Sequence, residues 1–339
     1  MAARLAQPEV VATGLDNPRG LAFGPDGGLY VAEAGRGGAA STAGRHRQIP
    51  PPVGPYTGGM TARVSRIGPE GRRDIVADNL PSSQSSPGSG ASVSGVADVA
   101  FLGPALYALV SGAGPSHGLE GTANGVYRIG DNGNAELVAN LSAYRASTNV
   151  AVPDLNDDEY DGTWYSMVPA AGALWAVEPN HGVVVRVDVD GRISRLVDIS
   201  ETQGHIVPTA IAYREGLDAF FVGNLGRLPA APGSARVLRI ERNGVAGVWA
   251  RGLTMVLGLA FDGEGHLYAL ENSQCDEPCR PIPGTGRVVR VGEDGSIDPI
   301  AVKLMLPTGM VASSAGDALY VTTGGIGPAG SGSILRIAL

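Results

Sequence analysis

The sequence predicts an all-β protein, a six-bladed β-propeller with four antiparallel strands per blade. Two observations carry this. First, one phrase recurs six times at intervals of roughly 45 to 75 residues, a spacing that marks propeller blades. Its core is Leu29-Tyr30-Val31-Ala32-Glu33, Leu106-Tyr107-Ala108-Leu109-Val110, Leu174-Trp175-Ala176-Val177-Glu178, Ala219-Phe220-Phe221-Val222-Gly223, Leu267-Tyr268-Ala269-Leu270-Glu271 and Leu319-Tyr320-Val321-Thr322-Thr323. Second, every copy is framed by Gly- or Pro-marked turns and a short apolar strand, with no long stretch of helical periodicity between copies.

Blade 1 opens at Asn17-Pro18-Arg19-Gly20-Leu21-Ala22-Phe23, turns at Gly24-Pro25-Asp26-Gly27-Gly28 and continues into Leu29 to Glu33. Its third and fourth strands are expected from Ala62 to Ile67 and from Arg73 to Asp78, joined by Gly68-Pro69-Glu70-Gly71. The blades are expected at about 17–80, 94–141, 164–200, 206–253, 255–304 and 305–339, forming a single domain over residues 1–339. Asp190-Gly191, Asn243-Gly244, Asp262-Gly263 and Asp294-Gly295 are hairpin turns.

The sixth copy ends at its third strand, Ser333-Ile334-Leu335-Arg336-Ile337. The missing fourth strand has a counterpart at the other end of the chain. Glu9-Val10-Val11-Ala12-Thr13-Gly14-Leu15 resembles the blade 1 outer strand Ile75-Val76-Ala77-Asp78-Asn79-Leu80. The N-terminal strand is therefore expected to complete the last blade and close the ring, which removes exposed sheet edges.

Extra length is confined to blades 1 to 3, at residues 35–61, 80–95, 112–123 and 141–163. Long loops in a compact fold carry function or are disordered; the Ser/Gly-rich stretch 82–94 reads as mobile. By the phase of the repeat these segments join second to third strands or one blade to the next. Both kinds of connection leave a propeller on one face, around the channel mouth, which makes that face the expected binding site for a small molecule or a protein partner.

The net charge of −8 and the lack of a basic run argue against a nucleic-acid partner. Basic charge is almost all arginine, with Lys303 the only lysine. The most apolar region, 96–114, contains Asp98, Pro104 and three glycines, so it reads as a hairpin and not as a membrane span. The sequence shows no signal peptide, and Met1 before Ala2-Ala3-Arg4 suits a mature N-terminus carrying an added methionine. Cys275 and Cys279, the two cysteines, flank a Pro-containing turn. The spacing suits a small disulfide loop, with free thiols as the alternative; a zinc site would need four ligands. A disulfide implies a secreted or periplasmic protein, and we read the chain as a monomer.

The blade 1 phrase, with an acidic residue after "LYVA", resembles NHL-type propeller repeats. The whole chain more narrowly resembles the ScyD/ScyE family. The residues carrying this are the blade 1 phrase, Asp78-Asn79-Leu80-Pro81-Ser82 and Val207-Pro208-Thr209-Ala210-Ile211-Ala212. Phe221-Val222-Gly223-Asn224-Leu225-Gly226-Arg227-Leu228-Pro229 and Gly233-Ser234-Ala235-Arg236-Val237 complete the set. The resemblance covers nearly the full length and implies an exported propeller. It supplies no defined catalytic motif.

Candidate chemistry is sparse. Glu33, Glu178 and Glu271 occupy equivalent strand ends in blades 1, 3 and 5, with Asn224 near the same level in blade 4. Converging carboxylates could hold a hard cation such as Ca²⁺; alternatively each caps a loop by accepting backbone N–H bonds. His181 and His205 fall near the channel face, where either could act as a general base; His46 is a further histidine, and His266 sits in a turn. Tyr160, Trp164 and Tyr165 precede blade 3 and could line an apolar pocket, while Trp164 could equally pack between blades. With Arg19 from the first strand, the candidate ligand-binding set is Arg19, Glu33, Tyr165, Glu178, His181, His205, Asn224 and Glu271.

Three local motifs are weaker. Gly114-Pro115-Ser116-His117-Gly118 matches G-x-S-x-G without the strand–turn–helix setting of a nucleophile elbow. Gly325-Ile326-Gly327-Pro328-Ala329-Gly330 matches G-x-G-x-x-G but precedes a strand, so no dinucleotide role follows. Asp154, Asn156 and Asp158 have the first spacings of a calcium loop, but Glu159 stands where its glycine belongs. The leading expectation is a binding propeller. A metal-assisted lactonase is the second; gluconolactonase-like enzymes begin blade 1 with a metal-binding Glu, where this chain has Asn17-Pro18-Arg19. A strictosidine-synthase-like condensing enzyme is the third, with no specific residue to support it.

Overall fold

In the computed structural model, which describes residues 5–45, 55–86, 91–156, 159–276 and 279–339, the chain forms six antiparallel sheets around one axis. Each blade runs from an inner strand outward. The inner strands are Pro18–Phe23, Val96–Leu102, Ser166–Ala170, Pro208–Arg214, Val256–Phe261 and Gly309–Ala312. The recurring phrase is the second strand in every blade, as in Leu29–Glu33 and Ala173–Glu178.

Strand alternation explains why both faces of these strands are apolar. In Ala173–Glu178, Leu174 and Ala176 join the core shared with blade 2, while Trp175 and Val177 join the core shared with blade 4. The same division repeats around the ring, so each of the six blade interfaces has its own apolar cluster. A blade alone would expose both faces; stacking is what buries them.

Closure follows the expected route. Glu9–Leu15 is the outermost strand of the last blade, antiparallel to Gly332–Ala338, with Glu9 opposite Arg336 and Leu15 opposite Gly332. Ala12 and Leu15 enter the cluster between blades 6 and 1.

Blade 1 departs from the four-strand plan. Its third strand starts early, at Thr57, and pairs with a short Ala40–Ser41 strand; its fourth runs from Arg73 to Ser86 and pairs with Ala91–Ser94. The Ser-rich stretch expected to be mobile is thus largely hydrogen-bonded strand over its described residues. Leu141–Ser147 is a short helix, started by the Asn140 side chain accepting from Ala143 N–H at 2.8 Å.

Antiparallel blades put second-to-third loops and blade-to-blade connections on one face, here called upper. The first-to-second turns lie on the lower face. Deleting residues 1–15 should leave the Gly332–Ala338 edge unpaired and abolish soluble expression. A truncated protein with an unchanged cooperative melt would overturn this.

Candidate functional site

The inner strands enclose an axial cavity of about 400 Å³. Its middle is apolar, walled by Leu21, Val99, Met167, Ile211, Leu259 and Met310. Phe23, Phe101, Tyr213 and Phe261 end the inner strands at the lower face and also line it. Three of these rings are braced by an aromatic from the preceding blade. Phe23 packs on Tyr320 at 5.2 Å, Phe101 on Tyr30 at 4.9 Å and Phe261 on Phe221 at 5.0 Å, all edge to face. The solvent-exposed lining residues, Pro169 and Ser314, lie at this lower end. The cavity therefore opens toward the lower face, whereas the loop lengths pointed to the upper one.

The upper end is polar. Asp98 lines the cavity and is buried. Its Oδ2 accepts Met167 N–H at 2.7 Å and the Ser166 hydroxyl at 3.0 Å, and Oδ1 accepts Val99 N–H at 2.9 Å. Burial outweighs these bonds and pushes its carboxyl up to about 7. Space for it comes from Gly20, where a Cβ would lie 1.8 Å from Asp98 Oδ1.

Arg19 sits beside this end and is also buried. One terminal nitrogen donates to Gly325 O, the other to Val93 O at 2.7 Å. Among the described residues no carboxylate pairs with it. Burial pulls its pKa down, and a Coulombic interaction with Tyr165 acts the other way. Burial likewise raises Tyr165, whose hydroxyl points to Thr308 O at 3.4 Å. Arg19 and Tyr165 are the candidate residues that the fold brings together near the cavity, with Tyr165 in its wall.

The strand-end residues do something else. Glu33 accepts Asp16 N–H at 2.7 Å and Ser65 Oγ at 2.5 Å, with Arg73 at 3.4 Å. Glu271 accepts Thr254 N–H at 2.5 Å and the Arg287 guanidinium. Glu178 accepts the N–H groups of Thr163, Asn180 and His181 at 3.0, 3.2 and 2.6 Å, together with His181 Nδ1 at 3.0 Å. Asn224 donates to Ile206 O at 2.9 Å and accepts Arg236 N–H at 2.8 Å. Each side chain ties its strand to the chain segment entering its own blade. Among the described residues no group of three His, Cys, Asp or Glu is placed to hold a metal ion. A hard cation thus lacks a donor set here, because these carboxylate oxygens already serve backbone and arginine donors.

The other candidates are dispersed. His205 is half-buried in the connection before blade 4. Trp164 is 1% exposed and packs between blades 2 and 3, whereas Tyr160 is 65% exposed, so the two do not share a pocket with Tyr165. Asp154 pairs with Arg227 at 3.1 Å; Asp158 and His46 lie outside the described residues. Ser116 donates to Asp161 Oδ2 at 2.5 Å from a short 3₁₀ turn, and the adjacent His117 is fully buried. His117 instead joins the long loops of blades 1 to 3. Ser83 Oγ lies 2.6 Å from its Nδ1, Glu159 Oε2 3.5 Å from its Nε2, and Tyr56 stacks at 4.9 Å and bonds Glu159. Burial would raise Glu159, but hydrogen bonding and charge from His117, with Tyr56 and Thr163, hold it below the usual carboxylate range.

Cys275 and Cys279 form a disulfide. Cys279 exchanges two backbone bonds of 3.1 Å with Ala230, tying the upper loops of blades 4 and 5. Asp98 was visible in sequence only as an interruption of an apolar run. An acidic residue inside a strand of alanines and valines was the signal that could have marked it.

No family model matches the chain, and no curated protein sequence matches it. Solved structures do. A gluconolactonase from Xanthomonas campestris is 14% identical, with a TM-score of 0.52 and full coverage of both chains. The PQQ-bound aldose sugar dehydrogenase of Streptomyces coelicolor is 15% identical, with a TM-score of 0.55 over 100% of this chain and 99% of that one. A luciferin-regenerating enzyme is 10% identical, with a TM-score of 0.58 over 98% and 96%. These likenesses show the six-bladed fold. The narrower ScyD/ScyE resemblance is carried by the sequence phrases alone.

Two outcomes are expected. Glu271→Ala should destabilise the fold by about 3 kcal/mol in urea unfolding, because it leaves Arg287 and the Thr254 amide without their partner, and Glu271→Gln by about 1 kcal/mol. Asp98 carries a linkage signature. Its carboxyl is raised from 3.8 to about 7, so between those values the folded state holds a proton that the unfolded state releases. Its contribution is fully present below pH ~4 and is lost as pH rises through ~7, on the order of 4 kcal/mol in all. The melting temperature of wild type minus that of Asp98→Asn should therefore fall from pH 4 to pH 8. A pH-independent difference would contradict the assignment.

Proposed function

We propose that the axial cavity is a small-molecule site and that the protein hydrolyses an ester or lactone there, with Asp98 taking a proton from the attacking water. The observation that carries this is a buried carboxyl, pushed up to about 7, at the polar upper end of a cavity whose middle is walled by apolar side chains. A perturbed acid in a concave apolar site is the usual physical mark of a reactive centre. A general base works best when its pKa lies near the working pH. The enzymes among the structural neighbours accord with this reading without fixing a reaction.

The step balances simply. The water oxygen adds to the carbonyl carbon while its proton passes to Asp98. The ester C–O bond then breaks, and the leaving oxygen takes that proton back. No metal step is invoked, because the donor set described above does not fit one.

The disulfide suits an oxidising compartment. With the ScyD/ScyE resemblance it supports placement outside the cytoplasm as part of the same proposal.

The test is a panel of aryl esters and lactones assayed from pH 5 to 9 with and without EDTA. Wild-type turnover should rise through about pH 7, ignore EDTA, and fall by roughly 10²–10⁴-fold in Asp98→Asn. Activity in Asp98→Asn with an unchanged pH profile would sink the reading.

A further inference from the structure

The Arg19 guanidinium has no assigned role in the hydrolytic step. It is 8% exposed and comes from the inner strand of blade 1, one residue before Gly20 and Leu21 in the cavity wall. An arginine stays charged in proteins, so this is a buried positive charge. Buried charges are ordinarily paired, because leaving water without a partner is costly. Here its acceptors are two neutral carbonyls, Gly325 O and Val93 O, and among the described residues no carboxylate lies within ion-pair range. Other arginines next to buried strand ends differ. Arg63 pairs with Asp16 and Arg287 with Glu271.

The surroundings connect this charge to the cavity. A Cβ on Gly325 would lie 2.5 Å from Arg19 Nη1 and 2.5 Å from Thr308 Oγ1, and Thr308 lines the cavity. Tyr165, also in the wall, is the group whose ionisation couples to Arg19. Positive charge and hydroxyls thus gather at the upper end, opposite the aromatic collar of the lower mouth. The wall between offers no polar side chain at Leu21, Val99, Met167, Ile211, Leu259 or Met310.

We infer that Arg19 is an anion-binding group and that the cavity takes an apolar carboxylate, the product of hydrolysis, with its carboxylate at Arg19 and its hydrocarbon or aromatic body directed to the lower mouth. This rests on the cavity being the site of reaction and adds the class of compound. A polyol such as a sugar acid suits this wall less well than an apolar body, since its hydroxyls would meet no polar side chain at Leu21, Val99, Met167, Ile211, Leu259 or Met310. The volume is sufficient, as an apolar cavity of ~150 Å³ already admits benzene. Charge also balances. Once the leaving oxygen has taken its proton, the acid just formed passes its own proton to Asp98, so the carboxylate faces Arg19 and a neutral acid.

The probe compounds are 3-phenylpropanoate, its neutral amide and gluconate, titrated calorimetrically at pH 6, where Asp98 is largely protonated. Wild type should bind 3-phenylpropanoate and bind the amide and gluconate roughly ten- to hundredfold more weakly. Arg19→Met should remove the preference for carboxylate over amide, and Arg19→Lys should restore part of it. Phe261→Ala, at the far end of the cavity, should weaken carboxylate and amide alike. Should Arg19→Met fail to fold, the wild-type comparison of acid with amide still decides. Equal binding of acid and amide, or preference for gluconate, overturns the inference. Tight carboxylate binding without ester or lactone hydrolysis would overturn the proposed reaction and leave this inference standing. Hydrolysis indifferent to Arg19→Met would do the reverse.

Discussion

Four of the blades, the first, fourth, fifth and sixth, begin with a backbone problem. To enter the inner strand from the upper face, the chain passes through a left-handed residue that is not glycine: Asn17 at φ 51°, Val207 at 58°, Met255 at 49° and Leu306 at 44°. Such a conformation costs an L-residue roughly 1–2 kcal/mol, and a β-branched one such as Val207 is an outlier. The side chains at the ends of the second strands hold this turn in place. Glu33 binds the amide of Asp16, Glu271 that of Thr254, and Asn224 the carbonyl of Ile206, in each case within two residues of the left-handed position. Blade 6 has no acid there and uses backbone instead, with Gly324 N–H donating to Met305 O at 2.7 Å. The placement of these four inner strands, and with it much of the cavity wall, depends on these ties.

The fold was readable because its cause is periodic. A two-residue alternation repeated in six copies encodes blades with two apolar faces, and the truncated sixth copy encodes the closure. Blade 1's extra pairing was not readable. Ala40–Ser41 and Ala91–Ser94 owe their strand character to a partner already extended beside them, and nothing in their composition demands it. The site was readable only in part. Glu33, Glu178 and Glu271 stood out because they share a repeat position, and a shared position in a repeat most directly marks a shared structural task. Asp98 occurs once, so the pattern hid it. Its character comes from Gly20, Ser166 and Met167, which belong to neighbouring blades and are far from it in sequence. Arg19 was identifiable, but its unpaired state is visible only when three-dimensional neighbours are known.

The cavity mouth and the long loops lie on opposite faces of the ring. The loops of blades 1 to 3 lock onto one another around His117, whose ring nitrogens face Ser83 and Glu159 and whose side chain is inaccessible to solvent. Their described residues pack against one another on the upper face. The cavity opens on the side where the turns are short and nearly uniform. Length variation is therefore spent away from the cavity mouth, which is made by four aromatics from otherwise ordinary hairpins.

Closure of the ring has a consequence for how the chain comes to be folded. Glu9–Leu15 is made more than 300 residues before its partner Gly332–Ala338. Until then the first strand has no neighbour of its own blade, and the five complete blades form an open arc with an uncovered face at each end. Joining ends so far apart in sequence carries a loop-closure entropy that grows only logarithmically with length, but it makes the final contact a highly non-local one, the kind that slows folding. Pairing of these two strands is thus the contact that converts an arc with two uncovered ends into a ring with none.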